Sequence, residues 1–377
     1  FNFWNKDTIL SNVVLIIRNF KPDVLICRFP TTGEGGHGHH TASAILGSEA
    51  FEAAADPTRF AWQLRYVDVW QIKRVFWNTF NFGTTNTTAA DQVQIDVGGF
   101  NSLLGKSYGE IAAESRSMHK SQGFGSARSR GKQIEFFKQI KGDSVKADVF
   151  ENIDLTWNRL GNQNDLINKI NSCIAEFNPE FPAKSIYELK IIYNSLLALP
   201  ETNKNIAYWK KQKLKETENL LLNCAGIWIE PSAGNFSGIP GKKVDITLQA
   251  INRSDANVKI NSIVYSDKSD TIAKIPLKKN ELSVFKRTIS LNKNISYSNP
   301  YWLKSVHNEG FFTVTDPMLI LQPENSAAYS VKINLNIEGL NLEINKPLVY
   351  KSVDPAKGEV YRPFEVLPAI AVNFSAK

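Results

Sequence analysis

The first 55 residues show helical and extended patterns of apolar side chains in turn. From residue 7 to residue 20 the apolar positions recur every three or four residues, which predicts an amphipathic helix ending at Lys21-Pro22. The short apolar run 23–27 then predicts a buried parallel strand. Residues 41–55, rich in Ala and Glu, predict a second helix. Helix, strand and helix in this order indicate part of a parallel α/β sheet.

The remaining sequence divides into three kinds of pattern. Strand-like runs and a helix predicted at 108–119 extend the α/β layer, which we assign to residues 1–150. Apolar side chains at helical spacing dominate 151–224, which we predict to be a helical segment. After residue 224, short alternating strands separated by turns predict an all-β immunoglobulin-like sandwich over 225–377.

Composition narrows the class of protein. With 377 residues, 42% hydrophobic and 21% charged, the chain has the make-up of a folded protein of more than one domain. The net charge of +7 is spread along the sequence without a basic block, so we expect no nucleic-acid partner. No apolar run reaches the roughly 18 residues of a transmembrane segment. Three scattered cysteines, Cys27, Cys173 and Cys224, predict neither a disulfide framework nor a cysteine-ligated zinc site.

A histidine cluster carries the best chemical signal. Three of the five histidines, His37, His39 and His40, fall within four residues and are interspersed with glycine. Imidazole is the commonest metal ligand and transfers protons near neutral pH. The cluster lies between the predicted strand 23–27 and the helix that follows, where open α/β sheets build their sites. We therefore predict a metal or catalytic site here, the alternative being a solvated His-rich linker.

Weaker candidates lie further along the chain. His119 is at the end of the helix predicted at 108–119, either near the site or satisfied by local carbonyl groups, and a solvated helical face accounts for Glu110 and Glu114. Residues 123–132 form a glycine-rich basic loop, which could hold an anion but is better explained as a solvated turn. The aromatic pair Tyr301-Trp302 could stack on a sugar or seal one end of the sandwich.

The histidine run resembles a known motif. Gly36-His37-Gly38-His39-His40 is similar to the second signature, Gly-His-Pro-Asp-His, of the PIG-L/LmbE family of zinc-dependent de-N-acetylases. The wider stretch 28–57 resembles the large multidomain, Bacteroidetes-type branch of that family. Ser115 to Gly123 is similar to its later block, which ends in a His-x-Ser/Thr-Gln pattern. The resemblance covers residues 1–140 well and the sandwich more loosely.

The resemblance implies a Rossmann-like layer and removal of an acetyl group from N-acetylated sugars or glycoconjugates. His40 matches the zinc ligand, and His37 matches the residue that polarises the amide carbonyl and stabilises the oxyanion. His39 stands where the family has an Asp, which leaves its role open, and His119 is implied to contact substrate or to support the site. The implied location is periplasmic or secreted.

The family's first motif is absent. No His-Pro-Asp-Asp occurs in the sequence, so two zinc ligands and the general-base Asp of the family have no counterpart here. A catalytic zinc needs three protein ligands and an open water position, which His40 alone does not provide. From this, and from the aromatic start Phe1-Asn2-Phe3-Trp4, we expect a fragment or processed piece with an incomplete, impaired zinc site. We also expect an unpaired sheet edge that favours self-association through residues 20–100.

Two alternatives stay open. The chain could be a non-catalytic carbohydrate- or envelope-binding protein in which the sandwich binds the ligand beside a decayed catalytic layer. It could also be a different metal hydrolase that uses the three clustered histidines with a carboxylate such as Asp23 or Asp96.

Overall fold

The chain forms two compact units, which are described separately. A computed structural model describes residues 1, 3–123, 125–201, 203–265 and 274–372. Unit 1 comprises the described parts of 1–153 together with 302–323, and unit 2 comprises those of 154–301 and 324–377. Both units combine helices with sheets, so the protein is a mixed α/β protein with several sheets and a helical segment. Among the described residues, no helix has both the length and the apolar character required to cross a membrane.

The described part of unit 1 contains three α-helices and eight strands, four of which are only two residues long. The helices are α1 (Lys6–Phe20), α2 (Gly38–Ala55) and α3 (Tyr108–Ser117). The strands are β1 (Val24–Cys27), β2 (Arg74–Thr79), β3 (Asn81–Phe82), β4 (Thr85–Asn86), β5 (Val93–Asp96), β6 (Phe100–Asn101), β7 (Lys106–Ser107) and β8 (Ile134–Gly142). Short 3-10 turns lie at Ala61–Arg65, Lys120–Gln122 and Pro317–Leu321.

The main sheet of unit 1 is mixed rather than parallel. Its strand order is β1-β2-β8-β5, with β1 at one edge. Only β1 and β2 run parallel, whereas β8 runs antiparallel to both β2 and β5. The expectation of a parallel sheet therefore holds for one strand pair, β1 and β2, which α2 connects, whereas β8 lies antiparallel to its neighbours on both sides.

Two helical layers cover one face of this sheet. The apolar stripe of α1 packs on α2 through Leu10, Val14 and Ile17. Helix α2 in turn lies against β1 at Gly47, where an added Cβ would stand 2.9 Å from the Sγ of Cys27. Glycine is therefore required for this close approach, and Cys27 is a packed side chain, as expected.

A buried arginine fastens α1 to the end of α2. Arg18 is fully buried and donates hydrogen bonds to the carbonyl oxygens of Ala53 (3.1 Å), Ala54 (3.1 Å) and Asp56 (2.7 Å). The last carbonyls of a helix have no partner within the helix. The guanidinium satisfies them and places a positive charge at the negative end of the α2 dipole.

Unit 2 contains three α-helices and eleven strands. The helices are α4 (Asn164–Ala175), α5 (Ile186–Leu197) and α6 (Lys204–Cys224), with 3-10 turns at Trp157–Leu160 and Pro182–Ser185 and another at Tyr301–Leu303, where the chain passes into unit 1. The strands are β9 (Ile227–Ala233), β10 (Ser237–Gly238), β11 (Lys243–Asn252), β12 (Val258–Val264), β13 (Ile275–Leu277), β14 (Ser283–Ser290), β15 (Ser330–Ile337), β16 (Leu340–Pro347), β17 (Val349–Asp354), β18 (Gly358–Pro363) and β19 (Glu365–Val366).

Two sheets of unit 2 share one core with the helices. A five-stranded sheet has the order β14-β11-β9-β17-β18, and a four-stranded sheet has the order β13-β12-β15-β16. Alternate side chains of β11 and β15 are buried in this core, as the period of two predicts. Leu189 of α5 and Leu221 of α6 belong to the same core. The helical segment 151–224 and the strands that follow it therefore pack as one unit.

Candidate functional site

The histidine run lies at the carboxyl end of β1, where the chain turns into α2. His37 is the N-cap of α2, and its carbonyl accepts hydrogen bonds from the amides of His40 (3.1 Å) and Thr41 (3.3 Å). His39 and His40 therefore belong to the first turn of the helix, not to a loop ending at residue 41. Gly36 has a φ of +75°, a conformation that a side chain disfavours, so the turn before the helix requires glycine here.

The three imidazoles are neighbours. The ring centroids of His37 and His40 lie 5.1 Å apart, and His39 lies 6.4 Å from His37 and 6.0 Å from His40. His37 and His39 are exposed, whereas His40 is half-buried. His37 and His40 are thus the closest pair of the three.

Two contacts fix the orientation of His40. Its ring stacks on Phe29 with a centroid distance of 3.8 Å, and its Nδ1 lies 3.4 Å from the carbonyl oxygen of Gly35. A Cβ at Gly35 would stand 2.7 Å from the Phe29 ring, so glycine is needed beside the stacked pair. A carbonyl facing Nδ1 favours the tautomer that carries its proton there. The lone pair of Nε2 is then available to coordinate a metal or to accept a hydrogen bond from a ligand.

The described residues fit a zinc site only in part. Two imidazoles that share a tetrahedral zinc at about 2.0–2.1 Å have ring centroids roughly 5 Å apart, which His37 and His40 match. A catalytic zinc needs a third protein ligand. Within the described ranges, no group of three or more His, Cys, Asp or Glu side chains is arranged to hold a metal ion. These residues thus offer two nitrogen donors and not a complete zinc centre.

The two aspartates considered as further ligands lie elsewhere. Asp23 precedes β1, whereas the histidines follow it, so the length of the strand separates them. Asp96 ends β5, which two strands separate from β1, and its Oδ1 accepts hydrogen bonds from the amides of Gly98 and Gln133, both 2.9 Å. The structure does not bring either carboxylate into the histidine group.

A polar triad at the same edge of the sheet was missed by the sequence analysis. Arg28 follows β1, Asn78 lies near the end of β2, and Glu135 lies near the start of β8. Arg28 donates to the Oδ1 of Asn78, and the Nδ2 of Asn78 donates to the Oε2 of Glu135 at 2.8 Å. Since β8 runs antiparallel to β2, its first residues meet the ends of β1 and β2 at the edge from which the histidine turn departs.

His119 and α3 have different environments. His119 is exposed at the N-cap of the turn after α3, and no hydrogen bond or ring contact joins it to the histidine turn in the described part of the chain.

Glu110 is not on a solvated face, since its carboxylate forms a capping box with Ser107 and an ion pair of 2.8 Å with Arg130. The backbone amide of Ser107, and then Arg130, lower the pKa of Glu110.

The glycine-rich basic loop is tied down by α3. Glu114 contacts Lys106 at 2.9 Å and Arg128 at 3.0 Å. The hydrogen bond from Lys106 is the main reason why the pKa of Glu114 is lowered. Arg128 and Arg130 are thus both paired with carboxylates of α3, which reduces their capacity to bind an anion. Phe124, within the loop, lies outside the described residues.

Comparison with known proteins provides little guidance. No family model and no curated protein match the sequence. Among solved structures, the sporulation control protein Spo0M of Bacillus subtilis is 12% identical, with a TM-score of 0.19 over 37% of this chain and 49% of that one. The Pseudomonas fluorescens alkylpurine DNA glycosylase AlkC, bound to DNA with an abasic-site analogue, is 9% identical, with a TM-score of 0.17 over 46% of this chain and 48% of that one. The chain spans about half the length of each, and likeness at these TM-scores does not establish a shared fold.

Proposed function

We propose that the chain is part of a zinc-dependent de-N-acetylase that acts on N-acetylated sugars or glycoconjugates, and that it supplies the second histidine motif of the active site. The observation that supports this most is the pairing of His37 and His40 at the carboxyl end of a strand, with the Nδ1 of His40 facing a backbone carbonyl. This arrangement suits a metal ligand held in one orientation.

Each histidine has a role in this proposal. His40 is a zinc ligand through Nε2. His37 polarises the acetamide carbonyl and stabilises the oxyanion that forms when the amide is attacked. His39 and His119, both exposed, contact the substrate or support the site. The mixed sheet of unit 1 corresponds to part of a Rossmann-like layer, the two large sheets of unit 2 correspond to an immunoglobulin-like sandwich, and the protein acts in the periplasm or outside the cell.

The proposal requires zinc ligands in addition to His40, at least two of them for a catalytic site. The sequence contains no His-Pro-Asp-Asp, and the described residues supply two imidazoles beside each other but no third ligand. We therefore expect the isolated chain to hold zinc weakly and to lack enzyme-like hydrolysis of acetamides.

Zinc binding tests the proposal directly. After dialysis, elemental analysis should give well below one zinc per chain, and titration should show weak binding that is lost in His40→Ala. His307→Ala is the matched control, because it removes an exposed imidazole to which the proposal gives no role, and it should bind zinc like the wild type. Stoichiometric zinc that survives in His40→Ala, or hydrolysis of N-acetylglucosamine derivatives at enzyme-like rates, would refute the proposal.

One observation favours the non-catalytic alternative, a carbohydrate-binding protein. On unit 2, Lys351 lies 5.8 Å from the ring centroids of Trp228 and Tyr361 and forms an ion pair of 2.8 Å with Glu230. Aromatic rings beside charged hydrogen-bonding groups suit a sugar ring. In this case Tyr361→Ala in the full chain should abolish glycan binding, while His40→Ala should leave it unchanged.

A further inference from the structure

Three side chains from three strands converge beside the histidine turn. Arg28, Asn78 and Glu135, here called the polar triad, lie at the edge of the sheet where β1 and β2 end and β8 begins. In open α/β sheets this edge is the usual place for ligands. Arg28 also directly precedes Phe29, whose ring stacks on His40. Arg28 of the triad is therefore adjacent in sequence to Phe29, the residue that orients His40.

Asn78 holds the triad in a defined arrangement. Its Oδ1 accepts from Arg28, and its Nδ2 donates to the Oε2 of Glu135 at 2.8 Å and to the carbonyl of Phe136 at 3.1 Å. The Nη1 of Arg28 lies 3.7 Å from the Oε2 of Glu135. Both functional ends of the carboxamide are thus used, so Asn78 orients the two charged groups on either side of it.

The charged groups retain hydrogen-bonding capacity. The side chains of Arg28 and Glu135 are 54% and 40% exposed. Within the described residues, the contacts of the triad involve only Nη1 of the guanidinium and Oε2 of the carboxylate. A guanidinium has five N–H donors and a carboxylate has two acceptor oxygens, so donors and an acceptor remain accessible side by side.

This mixture of groups selects one class of ligand. Glu135 would repel an anion that approached Arg28, and Arg28 would repel a cation that approached Glu135. Adjacent hydroxyl groups can accept from the guanidinium and donate to the carboxylate at the same time. We propose that the polar triad binds the hydroxyl groups of a neutral sugar ring, and so positions it beside His37 and His40. This subsite rests on the proposed function for the chemistry that the neighbouring histidines perform.

The test measures sugar binding without metal. N-acetylglucosamine and its β-1,4-linked dimer are titrated into the full chain in the presence of EDTA, by calorimetry or by ligand-observed NMR. Arg28→Met and Glu135→Gln should each raise the Kd about tenfold, the loss expected when one hydrogen bond to a charged group is removed. Glu135→Gln keeps an oxygen that can accept from Asn78, so it removes the charge with little change of shape.

Two control variants make the outcome specific. Glu52→Gln removes an exposed carboxylate that pairs with Lys141 elsewhere in unit 1 and should bind sugar like the wild type. Tyr361→Ala removes a ring of the aromatic cluster on which the carbohydrate-binding alternative rests, and it distinguishes the two sites, because binding at the polar triad leaves the Kd of this variant unchanged. Circular dichroism and thermal melting confirm that each variant is folded, and the exposed position of Arg28 makes its substitution tolerable to the fold.

The result also separates this inference from the proposed function. Absence of sugar binding by the wild type, an unchanged Kd in both triad variants, or a loss confined to Tyr361→Ala would overturn the subsite. Zinc binding by His40 is a separate readout. Loss of sugar binding in the triad variants, with zinc bound tightly regardless of His40→Ala, would support the subsite and refute the zinc assignment.

Discussion

Replacing Arg18 tests how unit 1 is held together. Arg18→Met keeps the length and apolar stem of the side chain and removes the guanidinium. The variant removes the donor to the carbonyl oxygens of Ala53 and Asp56 and to the side-chain oxygen of Gln63, which accepts from Arg18 at 3.1 Å. The carbonyl of Ala54 loses the bond from Arg18 and keeps the one from the amide of Trp70 (3.0 Å). Methionine fills a similar volume, so the effect of a cavity is small.

The expected loss of stability follows from opposing contributions. Hydrogen bonds from a charged donor stabilise by about 1.5–3 kcal/mol each, whereas burying the charge costs several kcal/mol. Burial lowers the pKa of Arg18, but an arginine remains charged in proteins. Breaking a comparable buried charged network costs about 3–5 kcal/mol, and we expect a loss of that size for Arg18→Met. Arg18→Lys should also destabilise, since an ammonium has three donors and no planar fork.

Hydrogen exchange measured by mass spectrometry is the suitable assay, because it reports unit 1 separately from unit 2. The free energy of the opening that exposes the amides of α1 and α2 to exchange should fall by about 3–5 kcal/mol. The opening free energies of the strands of unit 2 should not change. The matched control is Arg65→Met, which alters an exposed arginine in the same unit and should change stability by less than about 0.5 kcal/mol. Equal protection in Arg18→Met and Arg65→Met would refute the reasoning.

Three further predictions concern the site and its surroundings. Gly35→Ala should displace the phenylalanine ring that stacks on His40 and shift the NMR signals of that imidazole, whereas Gly38→Ala, whose Cβ meets nothing within 4 Å, should not. Ile26 is 47% exposed on the edge strand β1 and should mediate self-association. In sedimentation velocity the wild type should form concentration-dependent oligomers and Ile26→Lys should be monomeric. A monomeric wild type would contradict this prediction. The lowered pKa of Glu110 implies a contribution to stability that is present above about pH 4.5 and is lost as the pH falls through the folded-state pKa. The melting temperature of Glu110→Gln should therefore depend less on pH in that range than that of the wild type. Identical pH profiles of the two proteins would argue against this prediction.

The local pattern of the sequence located the histidine turn but not its neighbours. A strand at 23–27 followed by a helix placed His37 and His40 after the end of β1, because a short apolar run encodes the strand and residues of high helix propensity encode the helix. The polar triad could not be found in this way. Arg28, Asn78 and Glu135 are separated in sequence by 50 and 57 residues and meet because β1 pairs parallel with β2 and β8 pairs antiparallel with β2. Strand direction depends on pairing with distant residues, which the nine residues of β8 do not encode by themselves.

The buried arginine offered a signal that the sequence analysis did not use. Leu10, Val14 and Arg18 recur at intervals of four, so the arginine lies on the apolar face of α1. A charge in that position indicates a partner, although not which one. Apart from the side chain of Gln63, its partners are backbone carbonyls, including those at the end of α2, which leave no trace in the identity of the side chains. By contrast, Glu110 was recognisable from Ser107, since the two form the Ser-x-x-Glu pattern of a capping box.

The discontinuous course of unit 1 determines when it can fold during synthesis. The segment 302–323 belongs to unit 1, yet it is translated after most of the strands of unit 2. Domains usually fold in the order in which they emerge from the ribosome. Here α1 and the sheet must wait for about 150 further residues before the turn at Pro317–Leu321, which contacts α1, becomes available. During this interval the face of α1 that the late segment covers is exposed, and a chaperone that shields it would be expected to raise the yield of native protein.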